Sequence, residues 1–155
     1  MSGGESAGKS WLGLWASPGH TLVSGQRSAR FAEWSGCACA LDLRLGVLPR
    51  NRDRDIAVFR ILQESLTNVA RHARASNVTV RAGIADDDLM LEVTDDGVGI
   101  PDSELNSPTS LGMIGMRERA DALGGAIQFA SGAAGSTVTL RVPLVDAATL
   151  EATPP

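Results

Sequence analysis

Residues 59–73 read FRILQESLTNVARHA, and the spacing of the apolar side chains in and just before this stretch is that of one amphipathic helix. The pattern predicts a helix with Asp55 as its N-cap that runs to about Arg74. Its apolar positions are Val58, Phe59, Leu62, Leu66, Val69 and Ala73. A stripe of this kind must be buried, so the helix is expected to pack on another layer of structure.

The other side of this helix carries polar groups. At about 100° per residue, Glu64, Asn68 and His72 step along one edge, and Arg60 and Arg71 flank them. A solvated outer face is the simplest interpretation. However, a carboxylate, an amide and cationic groups on adjacent turns also suit a magnesium-bound triphosphate and a base that takes up a proton. The helix alone leaves both interpretations open.

The segments after this helix define the fold class. They predict strands at 78–84 and 89–93 joined by an acidic turn, a helix at 114–123 that ends at Gly124 and Gly125, and a last hairpin of 127–130 with 137–142. This order predicts an α+β fold, a two-layer α/β sandwich with helices on one face of a mixed, mostly antiparallel sheet.

The second of these strands ends in the run Asp95–Ile100. Asp95 shares the alternation of the strand's apolar residues, so it should point into the core while Asp96 points away. A carboxylate in a core needs a donor, and the exocyclic amine of a purine is one. Gly97 and Gly99 would let a flat ring or a phosphate approach the bare backbone. The alternative is an ordinary Asp-Gly turn.

Two more segments could face a ligand. The glycine-punctuated run Ser110–Met116 opens into the second helix, where free backbone N–H groups suit a phosphate, although glycines are also ordinary at a helix entrance. In the last strand, Ser136 shares the alternation of Val138 and Leu140, so its hydroxyl could look into a pocket.

The N-terminal run Gly3–Ser10 matches the phosphate-loop string G-x-x-x-x-G-K-S. Such a loop works because a buried strand delivers it to a helix, and here only Met1 and Ser2 precede it. We therefore expect Lys9 to have no nucleotide role.

Composition limits the remaining classes. The chain has 155 residues, 43% hydrophobic and 21% charged, with a net charge of -4, which suits one soluble domain and is unlike a nucleic-acid-binding surface. The apolar run Trp11–Ala16 is too short to span a membrane, so no membrane segment and a cytoplasmic location are expected. Cys37 and Cys39 are too close for a disulfide framework and should be reduced thiols. We divide the chain into an N-terminal extension (1–40), a folded domain (41–145) and a flexible tail (146–155).

Taken in order, four segments resemble the N box and the glycine boxes of the Bergerat-fold ATPases, the superfamily of gyrase, the heat-shock chaperone, histidine kinases and mismatch-repair proteins. The segments are 59–73, 95–100, 111–119 and 135–143. The Gln-Glu-x-x-x-Asn pattern of the helix, and the run Gly-Met-Arg-Glu-Arg at 115–119, resemble in particular the sensor histidine kinases of the nitrate-sensor type.

The resemblance implies ATP and Mg²⁺ as cofactors and assigns the candidate residues. Glu64 would act as, or near, the catalytic base, and Asn68 would ligate Mg²⁺. Asp95 would bind the adenine amine, Ser136 would stand where the family commonly has Thr, and 101–109 would be the ATP lid, with Ser110 at its end in place of the usual Gly. The full set expected to bind nucleotide is Asn68, Arg71, His72, Asp95, Gly97, Gly99, Ile100, Gly112, Met113, Gly115 and Ser136.

The function implied is that of the catalytic domain of a two-component histidine kinase. It would transfer the γ-phosphoryl group of Mg-ATP to a histidine on a separate or missing dimerisation segment, with a response regulator downstream. His20, in Ser-Pro-Gly-His-Thr, is not in a helical context, so the chain is expected to be inactive without a phosphoacceptor domain. An anti-sigma-type serine kinase of the same fold and a non-catalytic nucleotide-binding interaction module are the alternatives.

Overall fold

A computed structural model describes residues 33, 35–45, 48–49 and 51–145. The N-terminal run that contains Lys9 and His20, and the predicted tail at 146–155, lie outside the described residues. The elements in chain order are β1 (Ala38–Arg44), α1 (Arg52–Asn68), a π-helical turn (Val69–Ala73), β2 (Asn77–Ala85), β3 (Asp88–Asp95), α2 (Asp102–Leu105), α3 (Leu111–Ala122), β4 (Ala126–Gly132) and β5 (Gly135–Pro143).

The strands form one five-stranded sheet in the order β1-β2-β3-β5-β4. β1 pairs with β2 in parallel, whereas all other neighbours are antiparallel. The predicted α+β class with a mixed, mostly antiparallel sheet is therefore confirmed. Sequence analysis did not predict β1, although Leu41 and Leu43 alternate with Asp42 and Arg44, because the strand crosses the domain boundary drawn at residue 41. α1 is the crossover connection that a parallel pair requires.

The first helix begins earlier than predicted. Asn51, and not Asp55, is the N-cap: its side chain accepts a hydrogen bond from the backbone N–H of Arg54 at 2.9 Å. Asp55 lies inside the first turn and pairs with the buried guanidinium of Arg54 at 3.0 Å. The carboxylate thus still stabilises the helix start, because it lies near the positive end of the helix dipole.

The core lies between the helices and one face of the sheet. α1 contributes the fully buried Val58 and Ile61, and α3 contributes Met116, which lies against Ser65 of α1. The Ser65 hydroxyl is satisfied inside its own helix, because it donates to the carbonyl of Ile61 at 2.8 Å. Ile61 and Ser65 were missed as buried positions, because helical spacing alone does not show how wide the covered stripe is.

The connections follow their turn chemistry. Asp86 and Asp87 link β2 to β3 with φ values of 53° and 64°, a conformation in which Asp is one of the few tolerated side chains. α3 begins at Leu111, earlier than the predicted Ile114, and ends before Gly124, whose φ of 66° stops the helix. The last hairpin is also longer than predicted, because only Ala133 and Ala134 remain in its turn.

Cys37 and Cys39 are both free thiols, as expected. Burial, and then the charge of Asp96, raise the pKa of Cys37, and burial raises the pKa of Cys39 to about 11. Neither thiol is therefore a ready nucleophile near neutral pH. Among the described residues, no helix combines the length and the apolar character needed to cross a membrane.

Candidate functional site

A cavity of about 470 Å³ opens between α1, the carboxyl end of β3, the start of α3 and the final hairpin. That volume lies in the range of small-molecule sites, about 300 to 1,000 Å³. It is lined by Glu64, Ser65, Thr67, Asn68, Val69, Arg71, His72, Ala73, Val93, Asp95, Val98, Gly99, Ile100, Pro101, Glu104, Ser110, Gly112, Met113, Phe129, Ser136 and Val138. Most of the residues selected from the sequence thus meet around one space, although they come from distant parts of the chain.

The polar edge of the first helix forms one wall of this cavity. Glu64 and Asn68 lie on the last turns of α1, and Arg71 and His72 lie on the π-helical turn that continues it. A π turn is wider than an α turn, so it changes the direction of the side chains that follow it, and such turns are frequent at functional sites. Arg60, by contrast, is not a lining residue; its guanidinium donates to Gln63 at 3.3 Å.

The end of β3 supplies a buried carboxylate. Asp95 is 5% exposed, and its two oxygens have different partners: Oδ1 accepts the backbone N–H of Gly97 at 2.8 Å, and Oδ2 accepts the hydroxyl of Ser136 at 2.5 Å. Each carboxylate oxygen can accept more than one hydrogen bond, so Asp95 keeps acceptor capacity toward the cavity. A buried acceptor of this kind suits an N–H donor on a ligand.

Asp96 points to the opposite face and has a different task. Its carboxylate accepts the backbone N–H groups of Ser76 and Asn77 at 2.8 and 2.9 Å, and the side-chain amide of Asn77 at 2.9 Å. These hydrogen bonds, those from Asn77 foremost, lower the pKa of Asp96. Strand alternation correctly predicted that Asp95 points inward and Asp96 points outward. Through its hydrogen bonds, Asp96 links the end of β3 to the start of β2.

The glycines after β3 make close approaches to other backbone. A Cβ placed on Gly97 would lie 2.0 Å from the carbonyl oxygen of Ala73, so Gly97 lets the strand end pack against the π turn. Gly97 is not among the residues that line the cavity. Gly99 has a φ of 81° and faces Ser131, whose hydroxyl accepts the N–H of Ile100 at 2.6 Å.

The start of α3 forms the third wall. A Cβ on Gly112 would lie only 2.3 Å from Oε1 of Glu64, so the missing side chain leaves room for that carboxylate. Gly112 and Met113 line the cavity, and the first N–H groups of any helix lack partners inside the helix. Gly115 lies one turn further on, against Arg119, and does not line the cavity.

Sequence reasoning missed two lining residues of note. Phe129 lies opposite Val138 in the β4–β5 register, so the alternation of the last hairpin could have predicted its inward direction. Glu104 belongs to the short helix α2, within 101–109, and had no periodic signal that could reveal it.

An α+β sandwich whose cavity carries a carboxylate at a strand end, an amide and a carboxylate on one helix, and the start of a second helix has features typical of nucleotide-binding domains. A family model described as histidine kinase-, DNA gyrase B-, and HSP90-like ATPase matches residues 53–146, and the chain belongs to this family.

Its relatives narrow the type of ATPase. The chain is 36% identical over 111 residues to the signal transduction histidine-protein kinase/phosphatase UhpB of Salmonella typhimurium. The matched region covers 72% of this chain and 22% of that protein. It is 35% identical over 122 residues to the sensor histidine kinase NarS of Mycobacterium tuberculosis, with 77% and 28% covered. The chain therefore spans a minor part of the length of these relatives.

A solved structure gives the same result. The histidine kinase domain of a blue-light activated histidine kinase from Erythrobacter litoralis superposes with a TM-score of 0.64 at 26% identity, over 77% of this chain and 58% of that one. The ATP-binding domain described here is thus of the sensor histidine kinase type. The comparisons do not favour the anti-sigma-type serine kinase or the non-catalytic module.

Proposed function

We propose that this domain binds Mg-ATP and transfers the γ-phosphoryl group to a histidine on a dimerisation segment that is not part of the domain. The observation that carries the proposal is that Asp95, Glu64 and Asn68 line one cavity, although they come from two different elements of the fold. A nucleoside triphosphate needs a hydrogen-bond acceptor for its base, which Asp95 would supply. It also needs oxygen-bearing side chains near its magnesium-bound phosphates, which Asn68 and Glu64 would supply.

The adenine end is assigned to Asp95. Its carboxylate would accept a hydrogen bond from the exocyclic amine at C6 of adenine. Guanine carries a carbonyl oxygen at C6, which cannot donate a hydrogen bond to a carboxylate. The apolar side chains of Met113, Phe129 and Val138 line the same cavity and would contact the ring faces. Val98, Gly99 and Ile100 complete that side.

The phosphate end is assigned to α1 and the start of α3. Arg71 and His72 would contact phosphate oxygens, and the free N–H groups near Gly112 would bind others. The described residues contain no cluster of three or more His, Cys, Asp or Glu side chains suited to a metal. This fits Mg²⁺, which proteins commonly hold through one or two side-chain oxygens together with substrate phosphates, here Asn68 with Glu64 nearby. When bound, Mg²⁺ would neutralise charge on the phosphates.

In the proposed phosphoryl transfer, the chain's own residues form no covalent bond to the substrate. The bond from the γ-phosphorus to the bridging oxygen breaks, a phosphorus–nitrogen bond to the acceptor imidazole forms, and ADP leaves. The imidazole loses a proton, and Glu64, beside Gly112, would accept it. Positioning and electrostatic stabilisation dominate such transfers.

The partners follow from this reaction. The domain needs a dimerisation segment with a phosphoacceptor histidine, and a response regulator would take the phosphoryl group from that histidine. Because the reaction consumes ATP, we place the domain in the cytoplasm.

The test uses γ-labelled ATP with the full chain, with and without the dimerisation segment of a cognate kinase. Acid-labile label is expected on the added segment only, because His72 lies in the nucleotide cavity and the proline and glycine just before His20 disfavour the helix that a phosphoacceptor histidine needs. Glu64→Gln and Asn68→Ala should abolish the transfer, while Glu118→Gln, on the exposed side of α3, should leave it unchanged.

Two outcomes would overturn the proposal. Acid-stable label would indicate a serine kinase, since phosphoserine survives acid and phosphohistidine does not. Acid-labile label on the isolated chain that His20→Ala removes would show that the chain carries its own acceptor.

A further inference from the structure

Arg117, on α3, makes two contacts that join separate parts of the cavity wall. Its Nη2 donates a hydrogen bond to the backbone carbonyl of Leu105 at 3.1 Å. Its guanidinium carbon also lies 5.0 Å from the centre of the Phe129 ring, within the range of a cation–π contact. One side chain therefore bridges α2 and β4.

Both of these contacts lead to the proposed nucleotide site. Phe129 lines the cavity, and so does Glu104, the neighbour of Leu105 in the segment 101–109. We call this segment the lid. Leu105 itself is half-buried against the core, whereas residues 101–104 are exposed. Arg117 thus touches the lid at its only half-buried helical residue.

Apart from the packing of Leu105 on the core, the lid has few other contacts with the body of the domain. Within the described part of the chain, the other hydrogen bonds of residues 102–109 remain inside the lid, such as that from the N–H of Glu104 to the carbonyl of Pro101 at 2.9 Å. Segments held mainly by local hydrogen bonds open at a low free-energy cost. The Arg117 bridge is therefore a main determinant of where the lid lies.

We infer that Arg117 is a positioning residue that holds the lid against the Phe129 wall and so sets how long a nucleotide stays bound. The inference rests on the proposed function, because it assigns the lid to the ATP site. Arginine suits this task because its planar fork can donate to a carbonyl while its face stacks on an aromatic ring. Without the bridge, the binding-competent position of the lid is less populated, and apparent affinity falls in proportion.

The test compares Arg117→Gln with Arg119→Gln, which removes the same charge from an exposed position of the same helix. Hydrogen exchange of residues 102–109 is measured in the nucleotide-free protein, and stopped flow gives the dissociation rate of a ribose-labelled fluorescent ATP analogue with Mg²⁺. For Arg117→Gln we expect both rates to rise about five- to ten-fold, the effect of one lost hydrogen bond. For Arg119→Gln both rates should match those of the unmodified chain.

A second variant keeps the test decisive. Arg117→Lys retains the positive charge over Phe129 but lacks the planar guanidinium group. The hydrogen-exchange rate of the lid should therefore lie between that of the unmodified chain and that of Arg117→Gln. Lid exchange unchanged in both Arg117 variants would overturn the inference, and so would exchange raised equally throughout the domain. If the unmodified chain did not bind the analogue, the proposed function would fail, while the exchange measurement would still report on the bridge.

Discussion

Ser136 donates a 2.5 Å hydrogen bond to Asp95 across two paired strands whose register sets these residues directly opposite each other. Gly135, with a φ of 123°, makes this approach possible, because a Cβ there would lie 1.9 Å from the Asp95 carbonyl oxygen. With its other oxygen held by the N–H of Gly97, the carboxylate has one fixed orientation at the cavity. A group held in this way is ready to bind a ligand without reorganising.

Asp95→Asn should weaken ATP binding by about 1.5 to 3 kcal/mol, the scale of a hydrogen bond to a charged group. Asp96→Asn should change ATP binding much less, because Asp96 points out of the cavity and bonds Ser76 and Asn77. Calorimetric titration of both variants with ATP measures the two losses. Equal losses would contradict the separate roles of the two carboxylates.

Ser136→Ala should weaken ATP binding by about 1 kcal/mol, because the Asp95 carboxylate loses the hydroxyl that orients it. Ser136→Thr keeps a hydroxyl, so its free energy of ATP binding should lie within about 0.3 kcal/mol of that of the unmodified chain. Thr139→Ala, on the other face of the same strand opposite Glu92, is the matched control and should bind as the unmodified chain does. An unchanged affinity in Ser136→Ala would show that Gly97 alone suffices to orient Asp95.

Gly112→Ala should slow phosphotransfer to an added dimerisation segment about ten- to hundred-fold. The added methyl group must displace the Glu64 carboxylate from its place beside α3. The free energy of unfolding should change by less than about 1 kcal/mol, since only the end of a flexible side chain has to move. Gly132→Ala is the control, because a Cβ there meets nothing within 4 Å. Single-turnover rates and urea unfolding separate the two effects; a rate equal to that of the control would remove Gly112 from the positioning of Glu64.

Asp96 should make stability depend on pH. The fold lowers its pKa, so the charged form stabilises the native state fully above the ordinary value of about 4, and this contribution is lost as pH falls through the lowered value. Asp96→Asn lacks the contribution. Its deficit in the free energy of unfolding should therefore be largest near neutral pH and shrink below about pH 4. Urea unfolding of both proteins between pH 7 and 3 measures this, and a deficit that stays constant over the range would exclude the titration of Asp96 as its cause.

The sequence by itself determined the fold class and most of the residues that meet at the site, although Gly97 and Gly115 do not line the cavity. Periodicity predicted the long helix and both hairpins, and strand alternation predicted that Asp95 and Ser136 face inward, because alternation is a local property of an extended chain. Sequence analysis missed the parallel strand β1, because its alternation is short and its partner β2 lies beyond a whole helix in the chain, and it missed the N-cap Asn51, because Asp55 is also a capping residue type. The domain boundaries and the roles of the site residues remain predictions.

Only the tertiary structure decided which groups touch. The Ser136–Asp95 bond depends on the register of β3 with β5, and the nearness of Gly112 to Glu64 depends on how two helices far apart in the chain pack together. The bridge from Arg117 to Leu105 and Phe129 had no signal in the sequence, because it joins a helix, a lid and a strand that share no periodic pattern. Local spacing fixes the direction of a side chain along its own element, whereas the distance between elements is set by how their buried faces pack.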